Sequence, residues 1–355
     1  MKILITGACG FVGSAVANSL RHILEDVHIV GIDNLMRPGA EINRTLLENQ
    51  GVEFFHGDLR SASDMAQLPA CDWVIDAAAN PSVLAGLSGN GSSRRLFEHN
   101  LTALGNVLEY CREFRSGLLL LSSSRVYSIS ALVDVPLTVV RKAFAVDPSA
   151  QLPPGLTTDG IGVEFSNTPP ISLYGATKFA SEIMALEYGA AFDFPVWITR
   201  CGVLAGAGQF GTPAQGIFSF WINAHLRRRS IRFIGFDGTG HQTRDVFHPQ
   251  DLAALLVSQM RCSRSNGQRV YNAGGGPINS MSLAQLTSWC NARFGTHIPS
   301  VDTKPRVYDI PWIAMDNTDA SRDFGWRIQI PLEQVLEGIA QHAQLHPDWL
   351  EISRV

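Results

Sequence analysis

Short apolar runs alternate with helix-period stretches through the first half of the chain. Ile3 to Thr6 is an apolar run that ends in glycines, and Phe11 to Leu24 follows with apolar residues at helical spacing. That pattern predicts strand, tight turn and helix. Further strands are predicted at Val27 to Asp33, Val52 to Phe55, Trp73 to Ala77 and Leu118 to Ser122, with the clearest intervening helix at Arg94 to Phe114. Strands alternating with helices imply a parallel sheet covered on both faces, a doubly wound α/β architecture.

Residues 129–170 break the rhythm. Pro136, Pro148, Pro153, Pro154, Pro169 and Pro170 argue against a long regular element there. A long stretch without periodicity reads as a lid insertion or a mobile surface loop. A helix from Ser172 to Ala190 and a strand from Val196 to Cys201 resume the pattern. Beyond Gly202 it turns mixed, with glycine-rich loops, a helix bearing Phe218, Phe220 and Trp221, and a C-terminal helix from Leu332. The expected division is one domain at 1–202 and about 242–272, with 129–170 inserted in it, and a smaller mixed α/β lobe at 203–241 and 273–355.

Composition narrows the partners. The 355 residues carry a formal net charge of -4, which argues against nucleic acid or an anionic membrane. An anionic ligand must then be held locally, by placed arginines and backbone N–H groups. No apolar run reaches the ~18 residues of a membrane span, and no targeting signal is evident, so a cytoplasmic location is expected. Six scattered cysteines show neither a CxxC pair nor metal-ligand spacing, which suits reduced thiols and no metal.

Gly7, Gly10 and Gly13 lie between the first strand and the first helix, in Thr-Gly-Ala-Cys-Gly-Phe-Val-Gly. Glycine there allows a tight turn, close approach of a pyrophosphate, and close packing of helix on strand. The helix N-terminus, opened by Phe11 and Val12, then faces the anion. Asp33 ends the second strand, followed by Asn34. A carboxylate at that point accepts from ribose hydroxyls and repels a 2′-phosphate, favouring NAD over NADP, although Arg37 nearby pulls the other way. Asp58 and Leu59 follow the third strand, where adenine contacts belong. Ala77, Ala78 and Ala79 end the fourth with side chains small enough for a cofactor to lie close. These features together predict a Rossmann-type NAD site.

The candidate chemistry follows the fifth strand. Ser122-Ser123-Ser124 stands at its end, and Tyr174 and Lys178 share one face of a later helix at i, i+4. A free phenol, with a pKa near ~10, is a poor base at neutral pH. A lysine cation and a positive nicotinamide ring favour phenolate, and a serine hydroxyl can hold the reacting oxygen beside it.

TGACGFVG, Gly57-Asp58-Leu59, SSSRVY and SLYGATKFASE together resemble the extended short-chain dehydrogenase/reductase family across essentially the whole chain. The resemblance implies an NAD-dependent enzyme acting on a nucleotide-diphosphate sugar. It implies Tyr174 as base, Lys178 as pKa tuner and ribose ligand, and Ser123, or failing it Ser124, as hydroxyl donor to the sugar. Ser122 and Asn100 are implied on the cofactor side. Two departures stand out: the family's VYG reads Val126-Tyr127-Ser128, and Ser124 and Arg125 replace the acidic pair of the sugar 4,6-dehydratases. Without that acid and base, dehydration is disfavoured.

Arg244, in Arg244-Asp245-Val246-Phe247-His248, and Arg306, upstream of Asp309, resemble the family's diphosphate-binding arginines. His248 reads as structural. Asp33 to Ala40, Gly208 to Gly216, and Asn279 to Leu283 resemble the CDP-paratose 2-epimerase (CDP-tyvelose epimerase) branch, as does the long gap from Tyr127 to Tyr174. That branch implies oxidation at C2 of a CDP-sugar to a keto sugar, then hydride return to the opposite face. A UDP-sugar 4-epimerase and a nucleotide-sugar reductase or dehydrogenase are the alternatives. The family also implies a homodimer through a four-helix bundle of Arg94 to Phe114 and Ser172 to Ala190, unless their apolar faces pack on the sheet.

Overall fold

The computed structural model describes residues 1–87, 92–262 and 267–354. Its central sheet contains β1 (Lys2–Thr6), β2 (His28–Asp33), β3 (Glu53–His56), β4 (Trp73–Asp76), β5 (Gly117–Ser123) and two later strands, Val196–Cys201 and Val270–Ala273. All pairings are parallel, in the order β3, β2, β1, β4, β5, Val196–Cys201, Val270–Ala273. The winding direction reverses between β1 and β4. A crevice opens beyond the carboxyl ends of strands at such a point.

Side-chain alternation explains why these strands are apolar on both faces. Ile3, Ile5 and Ile29 pack with Val16 and Leu20 of α1 (Phe11–Ile23) and with Leu252, Leu255 and Leu256 of the helix Pro249–Met260. Leu4, Val30 and Ile32 face the other layer, with Leu104 and Val107 of helix Ala103–Phe114 and Ala185 of helix Ser172–Phe192. Glycine is required at position 13, where a Cβ would stand 2.2 Å from the Gly7 carbonyl oxygen. It brings α1 hard against the end of β1.

The expected helix at Arg94 to Phe114 is present with a flaw. Ser93–Phe97 and Ala103–Phe114 are α-helical, but Glu98–Thr102 forms a π-helical turn, a feature often found at functional sites. The Val196–Cys201 strand matches its predicted bounds, and the preceding helix runs on to Phe192.

In the second lobe, Val203–Leu204, Thr243–Phe247, Ser280–Ser282 and Trp312–Ile313 form a small mixed sheet. Helices Ile217–Leu226, Leu283–Phe294 and Leu332–Leu345 enclose a core around Trp221, Val246, Leu286 and Leu336. Thr243–Phe247, expected in the first domain, belongs to this sheet instead. The chain rejoins the first domain at Pro249, whose helix packs on α1.

Residues 129–170 also differ from expectation. They hold a short helix at Ile129–Val133, a hairpin of Leu137–Val140 with Ala143–Val146, and a smaller one of Leu156–Thr157 with Gly160–Ile161. Leu132, Val135, Leu156, Ile161 and Phe165 are buried with Tyr127 and with residues 310–315 of the other lobe. The prolines therefore punctuate a compact tie between the lobes. All six cysteines are free thiols, five of them buried. Among the described residues, no helix is long and apolar enough to cross a membrane and no side-chain cluster could hold a metal.

Replacing Phe165 by Ala is expected to destabilise the protein by about 3–5 kcal/mol, the cost of emptying a buried aromatic site. Urea denaturation checks this, and a change near zero would mean that the segment contributes no core.

Candidate active site

Two cavities meet at the carboxyl end of β5. The first, of about 450 Å³, lies over the switch point of the sheet. Gly7, Gly10, Phe11, Val12 and Gly13 line it, with Asp33, Asn34, Asp58, Leu59, Ala77, Ala78 and Ala79. No side chain caps the N-terminus of α1, so its first N–H groups are left for an anion, as a dinucleotide pyrophosphate requires. Asp33 accepts from the Cys9 N–H at 2.9 Å and the Leu35 N–H at 2.8 Å, tying the glycine turn to β2. Burial pushes its carboxyl up, against those N–H bonds. Asp58 is clamped by Arg60 at 2.9 and 2.7 Å, which holds its carboxyl well below the usual range. Arg37 donates to Gln215 Oε1 at 2.8 Å and to the Phe210 carbonyl at 2.6 Å. It is thus committed to the protein, which removes the conflict over a 2′-phosphate. The donor set fits NAD.

Ser123, Tyr174 and Lys178 come together on the wall of the same cavity. Gly175 makes this possible: a Cβ there would meet the Arg125 carbonyl oxygen at 2.2 Å. Without one, helix Ser172–Phe192 closes onto the turn Ser124–Val126 that follows β5. The Tyr174 phenol is raised above its ordinary pKa by burial, opposed by a hydrogen bond with Ser123 and by the charge of Arg125. Lys178 is lowered by burial, while Asp76, Cys201 and Glu182 favour its ammonium form. Asp76 ends β4 and accepts from Thr6 Oγ1 at 2.5 Å. Arg125, a residue noted in the sequence only as a departure from the dehydratases, thus adds a cation that favours the phenolate.

One cofactor-side expectation differs from the structure. Asn100 does not line the cavity. Its amide is spent on the Asn80 backbone, at 2.8 and 3.2 Å, and on Thr177 Oγ1 at 2.9 Å. From the π-helical turn it pins the loop after β4 to the helix carrying Tyr174. Ser122 lines the cavity, and its hydroxyl donates to Glu182 Oε1. Ser124 lines the same cavity together with Ser123 and Tyr174.

The second cavity, of about 500 Å³, runs between the lobes. Phe218, Phe220, Trp221, Ile231 and Leu283 form its apolar end. Arg125, Arg244 and Arg306 line it with Asp309 as the carboxylate among them. Arg244 donates to Asp309 Oδ1 at 3.2 Å and to the Ile310 carbonyl at 2.8 Å. Arg125 is pushed down to about 10, first by burial and then by Arg244, with Asp309 opposing. An anion entering here would relieve that crowding of like charge. No residue of 129–170 lines either cavity; the walls come from Ser82, Val83 and Leu84 and from the loop at 212–216.

A doubly wound sheet, an uncapped glycine turn and a Ser–Tyr–Lys group whose Tyr174 and Lys178 are buried define a nicotinamide-dependent enzyme of the short-chain type. The chain belongs to the NAD dependent epimerase/dehydratase family, whose model matches residues 3–274. NAD is its cofactor. It is 27% identical over 325 residues to CDP-paratose 2-epimerase of Salmonella typhi, across 87% of this chain and 90% of that protein. Its fold is shared with UDP-glucose 4-epimerase from Thermotoga maritima, solved with UDP-glucose (TM-score 0.76, 20% identity, 98% of this chain and 100% of that one). UDP-glucuronic acid 4-epimerase from Bacillus cereus, solved with UDP-glucuronic acid and NAD, matches similarly (TM-score 0.75, 22% identity, 97% and 99% of the two chains).

In cofactor-free protein, the phenolate absorbance difference between wild type and Tyr174→Phe should titrate above the ordinary phenol range. Because the Ser123 hydrogen bond favours phenolate, Ser123→Ala should move that titration to still higher pH. A Tyr174 titration at or below ~10 would contradict the burial described here.

Proposed function

We propose that this protein is a nucleotide-sugar epimerase that inverts C2 of a CDP-sugar, in the manner of a CDP-paratose 2-epimerase. The observation that carries the reading is the continuity of the site. The arginine-lined cavity shares Arg125 with the cavity that Ser123 and Tyr174 line, and among the described residues Asp309 is the one carboxylate lining it. A dehydratase needs an acid and a base for elimination; positions 124 and 125 hold Ser and Arg. The relationship to CDP-paratose 2-epimerase along most of both chains supports the same reading.

In this mechanism the apolar end of the second cavity takes the base, and Arg244 and Arg306 grip the diphosphate by charge-assisted hydrogen bonds. The Ser123 hydroxyl holds the sugar oxygen against Tyr174. As phenolate, Tyr174 removes the hydroxyl proton while the carbon–hydrogen bond breaks to leave a ketone. NAD, which the glycine turn and Asp33 would hold in the first cavity, would supply the hydride acceptor and donor, with no net redox change. The keto sugar turns within the cavity, so the returning hydride meets its opposite face. Tyr174 then restores the proton to the oxygen. Lys178, whose ammonium form the charge of Asp76 favours, would hold the ribose of the cofactor beside the phenol.

The helices Ser93–Phe97 with Ala103–Phe114, and Ser172–Phe192, form one outer layer of the domain. Phe97, Phe114, Leu173, Ile183, Met184 and Phe192 are exposed there, more apolar surface than scattered chance usually leaves. These helices suit a homodimer built as a four-helix bundle. Light scattering behind size exclusion should give twice the 38.7 kDa chain mass, and Ile183→Glu with Met184→Glu should give the monomer. A wild-type monomer at micromolar concentration would refute the bundle.

Proton NMR with CDP-paratose in deuterated buffer, with no added nicotinamide, tests the reaction. The expected product is the C2-inverted sugar with no deuterium at C2, since the hydride never leaves the site. An unchanged spectrum, alongside turnover of a UDP-hexose at C4, would replace this reading with a 4-epimerase.

A further inference from the structure

The residue at the junction of the two cavities has a role of its own. Arg125 follows Ser123 in the turn Ser124–Val126, and its backbone N–H donates to Ser123 Oγ at 3.2 Å. Its carbonyl lies against Gly175, so its Cα is fixed between β5 and the helix that carries Tyr174. The guanidinium lines both cavities. Among the described residues it makes a single hydrogen bond, from Nη1 to the Tyr308 carbonyl at 3.2 Å, and it has no carboxylate within ion-pair distance. The rest of a rigid, always-charged fork points at a ligand rather than at the protein.

We propose that Arg125 is a specificity-determining residue that binds the sugar-side phosphoryl group of the nucleotide and thereby fixes which carbon meets Tyr174. Arg244 and Arg306 line the second cavity and not the first, and in the reading above they hold the diphosphate. Arg125 reaches it from the Ser123–Tyr174 side. In a nucleotide sugar, C2 adjoins the anomeric carbon that carries the diphosphate, whereas C4 lies across the ring. A cation shared between the phosphoryl group and the neighbourhood of the phenol holds those two points close together. That register suits C2 and leaves C4 beyond the base. The inference rests on the epimerase reading above and assigns its choice of carbon to one side chain.

Isothermal titration of the NAD-loaded enzyme with CDP and with CMP tests the contact without turnover. CMP lacks the phosphoryl group that Arg125 would touch. In Arg125→Gln, affinity for CDP should fall at least about tenfold, as expected for a lost charge-assisted hydrogen bond, while affinity for CMP stays within about twofold. Arg125→Lys, which keeps the charge and loses the fork, should fall between wild type and Arg125→Gln for CDP alone. NAD content and thermal midpoint of each variant report whether the fold survives. An equal loss for both nucleotides would make Arg125 structural or place it on the inner phosphate, and unchanged CDP affinity would remove it from the ligand; either result overturns the proposal. Failure of wild type to invert CDP-paratose would instead remove the substrate reading, with the CDP-to-CMP ratio still judging Arg125.

Discussion

The ion pair of Glu182 and Arg200 sits where five parts of the chain converge, and the site takes its shape from it. Arg200 Nε donates at 3.1 Å to both carboxylate oxygens, and Nη2 donates to Oε2 at 2.7 Å. Their side chains are 6% and 2% exposed. Such a pair repays its desolvation only when every remaining donor and acceptor is used. Here they are. Ser122 donates to Glu182, Arg200 Nη1 donates to the Val163 carbonyl at 3.1 Å and to Tyr127 Oη at 3.3 Å, and Tyr127 donates to Asn272 at 2.7 Å. Removing one partner of such a pair typically costs about 3–5 kcal/mol, because it strands the other charge. Glu182 lies one helical turn beyond Lys178, and Ser122 immediately precedes Ser123. The pair therefore sets both catalytic candidates by holding their neighbours. With Ser122 turned inward, strand alternation turns Ser123 toward Tyr174.

Charge is distributed with the same economy. A chain of net charge -4 concentrates Arg125, Arg244 and Arg306 on one cavity with Asp309 among them. Their mutual repulsion is a standing cost in the empty protein, and an anionic ligand removes it. The cofactor side is arranged in the opposite sense. Asp33, Asp58 and Asp76 end β2, follow β3 and end β4, and each is bound by backbone N–H groups, an arginine or a hydroxyl. Acidic strand ends under the cofactor and basic side chains around the second cavity give the crevice a polarity that orients both ligands. Tyr174 lies where the two meet.

Much of this could be read from the residues because it depends on local pattern. Six of the seven sheet strands followed from apolar runs between turns, Val270–Ala273 being the one not read, and the helix carrying Tyr174 followed from its period. The lining of the first cavity followed from glycines and carboxylates at strand ends. What could not be read depends on contacts distant in sequence. Asn100 looked like a cofactor-side residue, yet its amide is consumed by Asn80 and Thr177. Residues 129–170 looked like a lid because prolines mask periodicity, and their core is completed by residues 310–315, which no local window contains. Arg125 was visible only as a substitution. Its place between two cavities depends on Gly175, one helix away in space, and on Tyr308 from the other lobe.

The three stretches that carried the resemblance to 2-epimerases acquire a physical basis from the same contacts. Arg37, in the segment after β2, donates to Phe210 and Gln215, both in the run from Gly208 to Gly216. Gly39 has φ +87 and lies so close to the Phe210 ring that a Cβ would stand 2.4 Å from it. The two stretches are thus one unit. The loop it secures walls both cavities, since Phe210 and Gln215 line the first while Thr212 to Phe218 line the second. In the third stretch, Asn279 accepts from the Leu332 N–H and donates to the Ile330 carbonyl, anchoring the C-terminal helix. Met281 and Leu283 then face the second cavity. In the reaction proposed above, such a common wall would keep the two ligand sites closed together. Arg37 ties that wall to the cofactor side, so the residue that first argued for a 2′-phosphate is better understood as the latch between the two sites.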